Sequence, residues 1–180
     1  MRKIIEWCYI SADGVFEDPI RMGLRDYQDD AYLRDGLGLI EACDAILLGR
    51  STYELFANMF SGRDGAHPYA ARLNAIQKYV FSSSLQAAEW SNSTIIRGDV
   101  AAEVTKLKQQ DGGDLLLLGH GLLGETLLEQ RLIDVLDLSI LPVIVGHGKP
   151  FFREGQAVKL KLAATKSFSK IVKLTYEPQY

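Results

Sequence analysis

The stretch LLLLGHGLLGETLLEQ, Leu115 to Gln130, decides the fold. Four consecutive leucines leave no polar face, so they read as a strand covered on both sides. A glycine turn follows, and a helix is expected from about Leu122 to Gln130. Upstream, DAILLGRSTYELF, Asp44 to Phe56, repeats that grammar: an apolar strand over Ala45–Leu48, a Gly-Arg turn, and a helix over Ser51–Phe60. Such alternation points to an α/β sheet with helices on both faces. The turn Gly119–Gly124 also matches G-x-G-x-x-G, the dinucleotide fingerprint. That fingerprint requires an acidic residue on a second strand about 20 positions further on. Here that count lands in Pro142–Gly146, which has no carboxylate, and several α/β elements precede the turn. Both points argue against a conventional Rossmann site.

Working outward, Lys3–Ser11 reads as a strand and Ala12–Asp26 as a polar loop carrying Asp13-Gly14 and Asp18-Pro19 turns. A helix is expected over Tyr27–Ala42, a Gly-rich loop over Ser61–His67, and a further helix opening at Pro68. Tyr79–Ser82 and Ile95-Ile96 read as strands, and Asp99–Gln110 as a helix capped by Asp99 and stopped at Gly112-Gly113. The segments VLDLSILPVIV, KLKLAATKSF and KIVKLTYEP are strand-like, with no room for helices between the last of them. The sheet should therefore be mixed, parallel in its body and antiparallel at its end.

The 180 residues suffice for one domain with a full core. Hydrophobic content of 47% with charge of 24% describes a globular chain. The net charge of −3 disfavours a broad grip on nucleic acid, which needs clustered cations against several phosphates. The first apolar run is broken by Glu6 and reads as a strand, and nothing has the length of a membrane span. Cys8 and Cys43 read as buried reduced thiols, which fits a cytoplasmic protein. His67, His120 and His147 are far apart in sequence, so no metal site is expected.

Ser51 and Glu54 have capping-box spacing, which satisfies helix-start amides with or without a ligand. The same place offers an anion site: free amides, Gly49 allowing close approach, and the Arg50 guanidinium suit a phosphate. The residues alone leave both readings open.

ISADG, LLGRSTYE, KYVFSSSL and LLGHGLLGETLLEQRLIDVLDLSILPVIVGHGKPFF, in that order, cover nearly the whole chain. Together they resemble the dihydrofolate reductase-like superfamily, in the branch of the C-terminal reductase domain of the riboflavin-biosynthesis protein RibD. The resemblance implies a three-layer αβα sandwich with a mixed, mostly parallel sheet, and NADPH bound along the C-terminal strand edges. It implies that Gly49, Arg50, Ser51 and Thr52 cradle cofactor phosphates, that Ser82 and Ser83 lie near the adenosine, and that Gly119, His120, Gly121 and Leu122 face the nicotinamide and pyrophosphate. It further implies a cis peptide at Gly119-His120 and a homodimer, and the long apolar segment VLDLSILPVIV is also expected to be covered by two-fold pairing.

On the substrate side the resemblance assigns catalysis to Asp13 of the S-x-D-G motif, whose alternative is an ordinary turn aspartate. His120 and Tyr53 are proton-donor candidates by chemistry, but equally a surface and a core residue; Asp29 and Asp30 lie near the superfamily's acidic helix position. The expected activity is NADPH-dependent reduction of a small heterocycle, a pterin or aminopyrimidine, as in 5-amino-6-(5-phosphoribosylamino)uracil reductase. RibD has an acidic-Gly-Gly sequence where this chain reads Leu118-Gly119-His120, and Asp-Asp-Pro where it reads Tyr53-Glu54-Leu55. A non-catalytic nucleotide-binding protein on the same fold is the alternative.

Overall fold

The structure is a computed structural model that describes every residue except Asp64, Ala66 and His67. Those three belong to the expected loop at 61–67 and lie outside the described residues. In chain order the elements are β1 (Ile4–Ser11), α1 (Leu24–Tyr27), α2 (Asp30–Glu41), β2 (Cys43–Gly49), α3 (Arg50–Phe60), α4 (Pro68–Ala75), β3 (Gln77–Phe81) and β4 (Ser93–Ile96). They continue as α5 (Val100–Gln109), β5 (Asp114–Leu118), α6 (Gly121–Glu129), β6 (Val135–Leu141), β7 (Lys159–Ser167) and β8 (Val172–Gln179).

The strands form one sheet in the order β4-β3-β2-β5-β1-β6-β8-β7. The first six strands in that order are joined by five parallel pairings and the last two pairings are antiparallel, as the sequence pattern implies. The four leucines of β5 show why the sheet sits between two helical layers. Leu115 and Leu117 join a core with Val104 and Leu107 of α5 and Leu123, Leu127 and Leu128 of α6. Leu116 and Leu118 join the opposite core with Tyr32 and Ile40 of α2, Tyr53 of α3 and Leu73 of α4. None of the four is more than 4% exposed. Cys8 and Cys43 are buried and unbridged.

Four sequence expectations are corrected. The helix expected from Tyr27 is broken at Gln28, which is extended, because the Asp29 carboxylate accepts from the Tyr32 amide at 2.8 Å and caps a new helix. The capping box at Ser51 does not form: α3 begins one residue earlier with Gly49 at the cap position, and Glu54 pairs with Arg50 instead. The Gly119-His120 peptide is not cis; the turn is made by left-handed backbone at Gly119 (φ +74°) and Gly121 (φ +59°). Finally, β6 ends at Leu141, just before Pro142, which has no amide to donate. Its residues are largely buried between β1 and β8, so its apolar character is already used within the chain.

Candidate functional site

A cleft of about 1040 Å³ opens along the C-terminal edges of the parallel strands. Gly49, Arg50, Ser51, Thr52, Ser82, Ser83, Gly119, His120, Gly121 and Leu122 all line it. Ends of parallel strands are where open α/β sheets bind ligands, because helix starts converge there.

Two such starts touch in this chain. A Cβ on Gly119 would lie 3.1 Å from Thr52 Oγ1, and one on Gly49 would lie 3.8 Å from the Leu123 Cβ. The first turns of α3 and α6 therefore form one continuous wall. No side chain caps either helix. Among the described residues the Ser51 and Thr52 hydroxyls find no hydrogen-bond partner, leaving them and the first-turn amides available to an anion.

At the β3 end, Arg50 donates to Ser84 Oγ at 2.8 Å and to Glu54 at 2.7 Å. Arg97 donates to the Ser83 carbonyl at 3.1 Å and the Leu85 carbonyl at 2.7 Å. Two permanent cations thus hold the 82–85 segment, one through a side chain and one through its carbonyls. Arg97 was not singled out in the sequence; its only sequence signal is its position two residues before the Asp99 cap, just past β4.

The other half of the cleft is aromatic, with Tyr9, Phe56, Phe60 and Tyr69 in its lining together with Gln28 and Met59. Gln28 Nε2 donates to Tyr9 Oη at 3.2 Å. Burial raises the Tyr9 phenol well above its ordinary range, so it stays protonated at neutral pH. Among the described residues the carboxylates in the lining are Glu17 and Asp18, and Glu17 pairs with Lys149 at 3.2 Å.

Asp13 lies outside this lining. Its carboxylate accepts from Ser11 Oγ at 2.6 Å, the Gly146 amide at 2.8 Å and the Val145 amide at 3.1 Å. Those donors, Ser11 foremost, hold its carboxyl at about 2. In this position it braces the loop after β6, and donating a proton would require breaking that brace. Asp29 caps α2, and Asp30 is in its first turn. Tyr53 is a core residue whose hydroxyl accepts from the Trp90 amide at 3.0 Å. His120 presents its backbone to the cleft but turns its ring inward, with the side chain 0% exposed. His147 bonds its own loop through the Val145 carbonyl. Among the described residues no cluster of His, Cys, Asp or Glu could hold a metal, and no helix is long and apolar enough to cross a membrane.

Residues 2–174 match the family model of the RibD C-terminal domain. The uncharacterized protein YwjB of Bacillus subtilis is 29% identical over 181 residues, covering 97% of both chains. YyaP of the same organism, also uncharacterized, is 28% identical over 177 residues, covering 96% of this chain and 83% of that one. Among solved structures, a Shewanella protein named for riboflavin biosynthesis superposes with a TM-score of 0.77 at 20% identity over 99% of both chains. The Thermotoga maritima diaminohydroxyphosphoribosylaminopyrimidine deaminase/5-amino-6-(5-phosphoribosylamino)uracil reductase gives 0.70 at 14% identity, over 99% of this chain and 57% of that one. At these identities the superpositions establish a shared fold, that of the dihydrofolate reductase-like RibD reductase domains.

Proposed function

Because the chain belongs to the RibD C-terminal domain family, we propose that it is an NADPH-dependent reductase of a small, flat heterocycle of pterin or aminopyrimidine type. The observation that carries this reading is the contact between the starts of α3 and α6, flanked by two guanidiniums on one side and an aromatic chamber on the other. Uncapped amides with the Ser51 and Thr52 hydroxyls would hold a pyrophosphate. Arg50, Arg97 and Ser82–Ser84 would hold a 2′-phosphate, which separates NADPH from NADH. The Gly119–Leu122 wall would flank the nicotinamide.

When bound, the cofactor supplies the hydride. The chain's own part is placement and exclusion of water. Ile20, Leu55 and Leu122, each over a third exposed, give the cleft an apolar rim that a ligand would cover. Tyr9 and Gln28 offer a hydroxyl and an amide to orient a ring nitrogen or carbonyl. Asp13 acts on turnover through the loop it braces, so Asp13→Asn should lower the rate while leaving NADPH affinity nearly unchanged. The test is NADPH oxidation followed by absorbance across pterins and aminopyrimidines. Oxidation with at least one supports the reading; NADPH neither bound nor oxidised would sink it.

A second reading is a non-catalytic nucleotide-binding protein. It is favoured by one observation, that among the described residues no carboxylate stands with Tyr9, Phe56, Phe60 and Tyr69 in the aromatic part of the lining. Tight NADPH binding without oxidation by any of the panel would select it.

We extend the proposal to a cytoplasmic homodimer. Since β6 is covered within the chain, a second copy would meet apolar surface elsewhere, and the outer strands offer Leu162 and Val172, 54% and 43% exposed. A monomer mass at every concentration in light scattering contradicts the dimer.

A further inference from the structure

Glu6 occupies the middle of β1, a central strand, facing the core layer beneath α5 and α6. Its carboxylate is 0% exposed and meets His120 Nδ1 at 2.6 Å. The imidazole is stacked on Phe151 at a centroid distance of 4.1 Å and makes a T-shaped contact with Phe16 at 5.2 Å. Beyond their mutual contact, Glu6 Oε2 and His120 Nε2 are buried with no hydrogen-bond partner among the described residues.

Helix α6 is notched to accept this pair. A Cβ on Gly124 would lie 2.5 Å from His120 Nδ1 and 2.6 Å from Glu6 Oε1, closer than real Cβ atoms come to such atoms. The third glycine of GHGLLG therefore makes room for a polar pair in an otherwise apolar layer. Such a pair is a poor source of stability, because desolvation offsets its attraction and well-packed apolar side chains of similar volume do as well or better. What a hydrogen bond supplies here is direction. His120 is the middle residue of the cleft turn, between two glycines in left-handed backbone, so fixing its ring fixes which way the Gly119 and Gly121 backbone faces.

We propose that Glu6 is a positioning residue for the cofactor, acting through His120 to hold the Gly119–Gly121 turn in its binding shape. This rests on the cofactor reading of the cleft. The test compares the wild type with Glu6→Gln, which keeps an acceptor for the imidazole, and with the double variant Glu6→Leu/His120→Phe, which replaces both partners by apolar groups and leaves no unpaired charge. NADPH affinity, thermal midpoint and ligand-free hydrogen exchange are measured on each. The double variant should melt at or above the wild-type temperature yet bind NADPH about tenfold more weakly or worse, the scale of one lost buried partner. Its amides at 119–124 should exchange faster while those at 50–53 do not change. Glu6→Gln should recover most of both losses. A folded double variant with wild-type affinity and wild-type exchange overturns the proposal. Should the wild type itself fail to bind NADPH, the cofactor reading fails, and unchanged exchange at 119–124 then separately refutes the positioning role.

Discussion

Arg50 and Arg97 illustrate how little of the cleft's chemistry a single residue discloses. Arg50 stands in a legible motif, yet its partner across the serine segment lies 47 positions away and becomes relevant only because β3 and β4 pair in parallel. Removing either cation should weaken NADPH binding by roughly 1 to 3 kcal/mol, the scale of a charge-assisted hydrogen bond, and should scarcely change NADH binding. Titration of both cofactors into Arg50→Ala and Arg97→Ala checks this; parallel losses for both cofactors would place the arginines on the shared pyrophosphate instead. Asp13 carries a pH consequence. Its folded value of about 2 lies below the ordinary 3.8, so its contribution to the fold is present above the ordinary value and lost as pH falls through about 2. Acid melts of Asp13→Asn should therefore lack the part of the wild-type destabilisation that develops between those two values. Glu6 was read only as the charge that interrupts an apolar run. Its burial could not be foreseen because the partner that makes it tolerable, His120, is 114 positions downstream.

At the scale of elements, the sequence was most informative where a pattern has one physical meaning. The leucines of β5 and the Asp99 cap of α5, which accepts from the Ala102 amide at 2.8 Å, are local facts and appear as expected. The start of α3 was less legible. The Ser51/Glu54 spacing fits a capping box, but Glu54 has a stronger partner in Arg50 on the same helix face. The packing of α2 was not legible at all: Gly36 lies against Trp7, and a Cβ there would come within 2.6 Å of the indole. Alanine is the better helix former by about 1 kcal/mol. Steric exclusion by a buried indole in the cleft lining should outweigh that, so Gly36→Ala is expected to lower the melting temperature and perturb Trp7 fluorescence. A stabilised variant with unchanged emission would show that α2 can shift freely. In β5, Leu117→Ala removes a side chain that is 0% exposed and should cost about 2 to 5 kcal/mol in denaturant unfolding.

For the whole molecule, the alternation of elements with period-two and period-3.6 patterns was enough to set the layers and the mixed sheet. Strand order was not, because β5 inserts between β2 and β1 through long-range pairing alone. That insertion brings the GRST and GHG turns together and makes one binding wall of two weak motifs. The central claim is that this wall, with its two guanidiniums, is an NADPH site. Calorimetric titration of NADPH and NADH into the wild-type protein tests it most directly. The account requires a measurable NADPH affinity, tighter than that for NADH, with the difference abolished in Arg50→Ala/Arg97→Ala. Absence of binding, or equal affinities for the two cofactors, would contradict it.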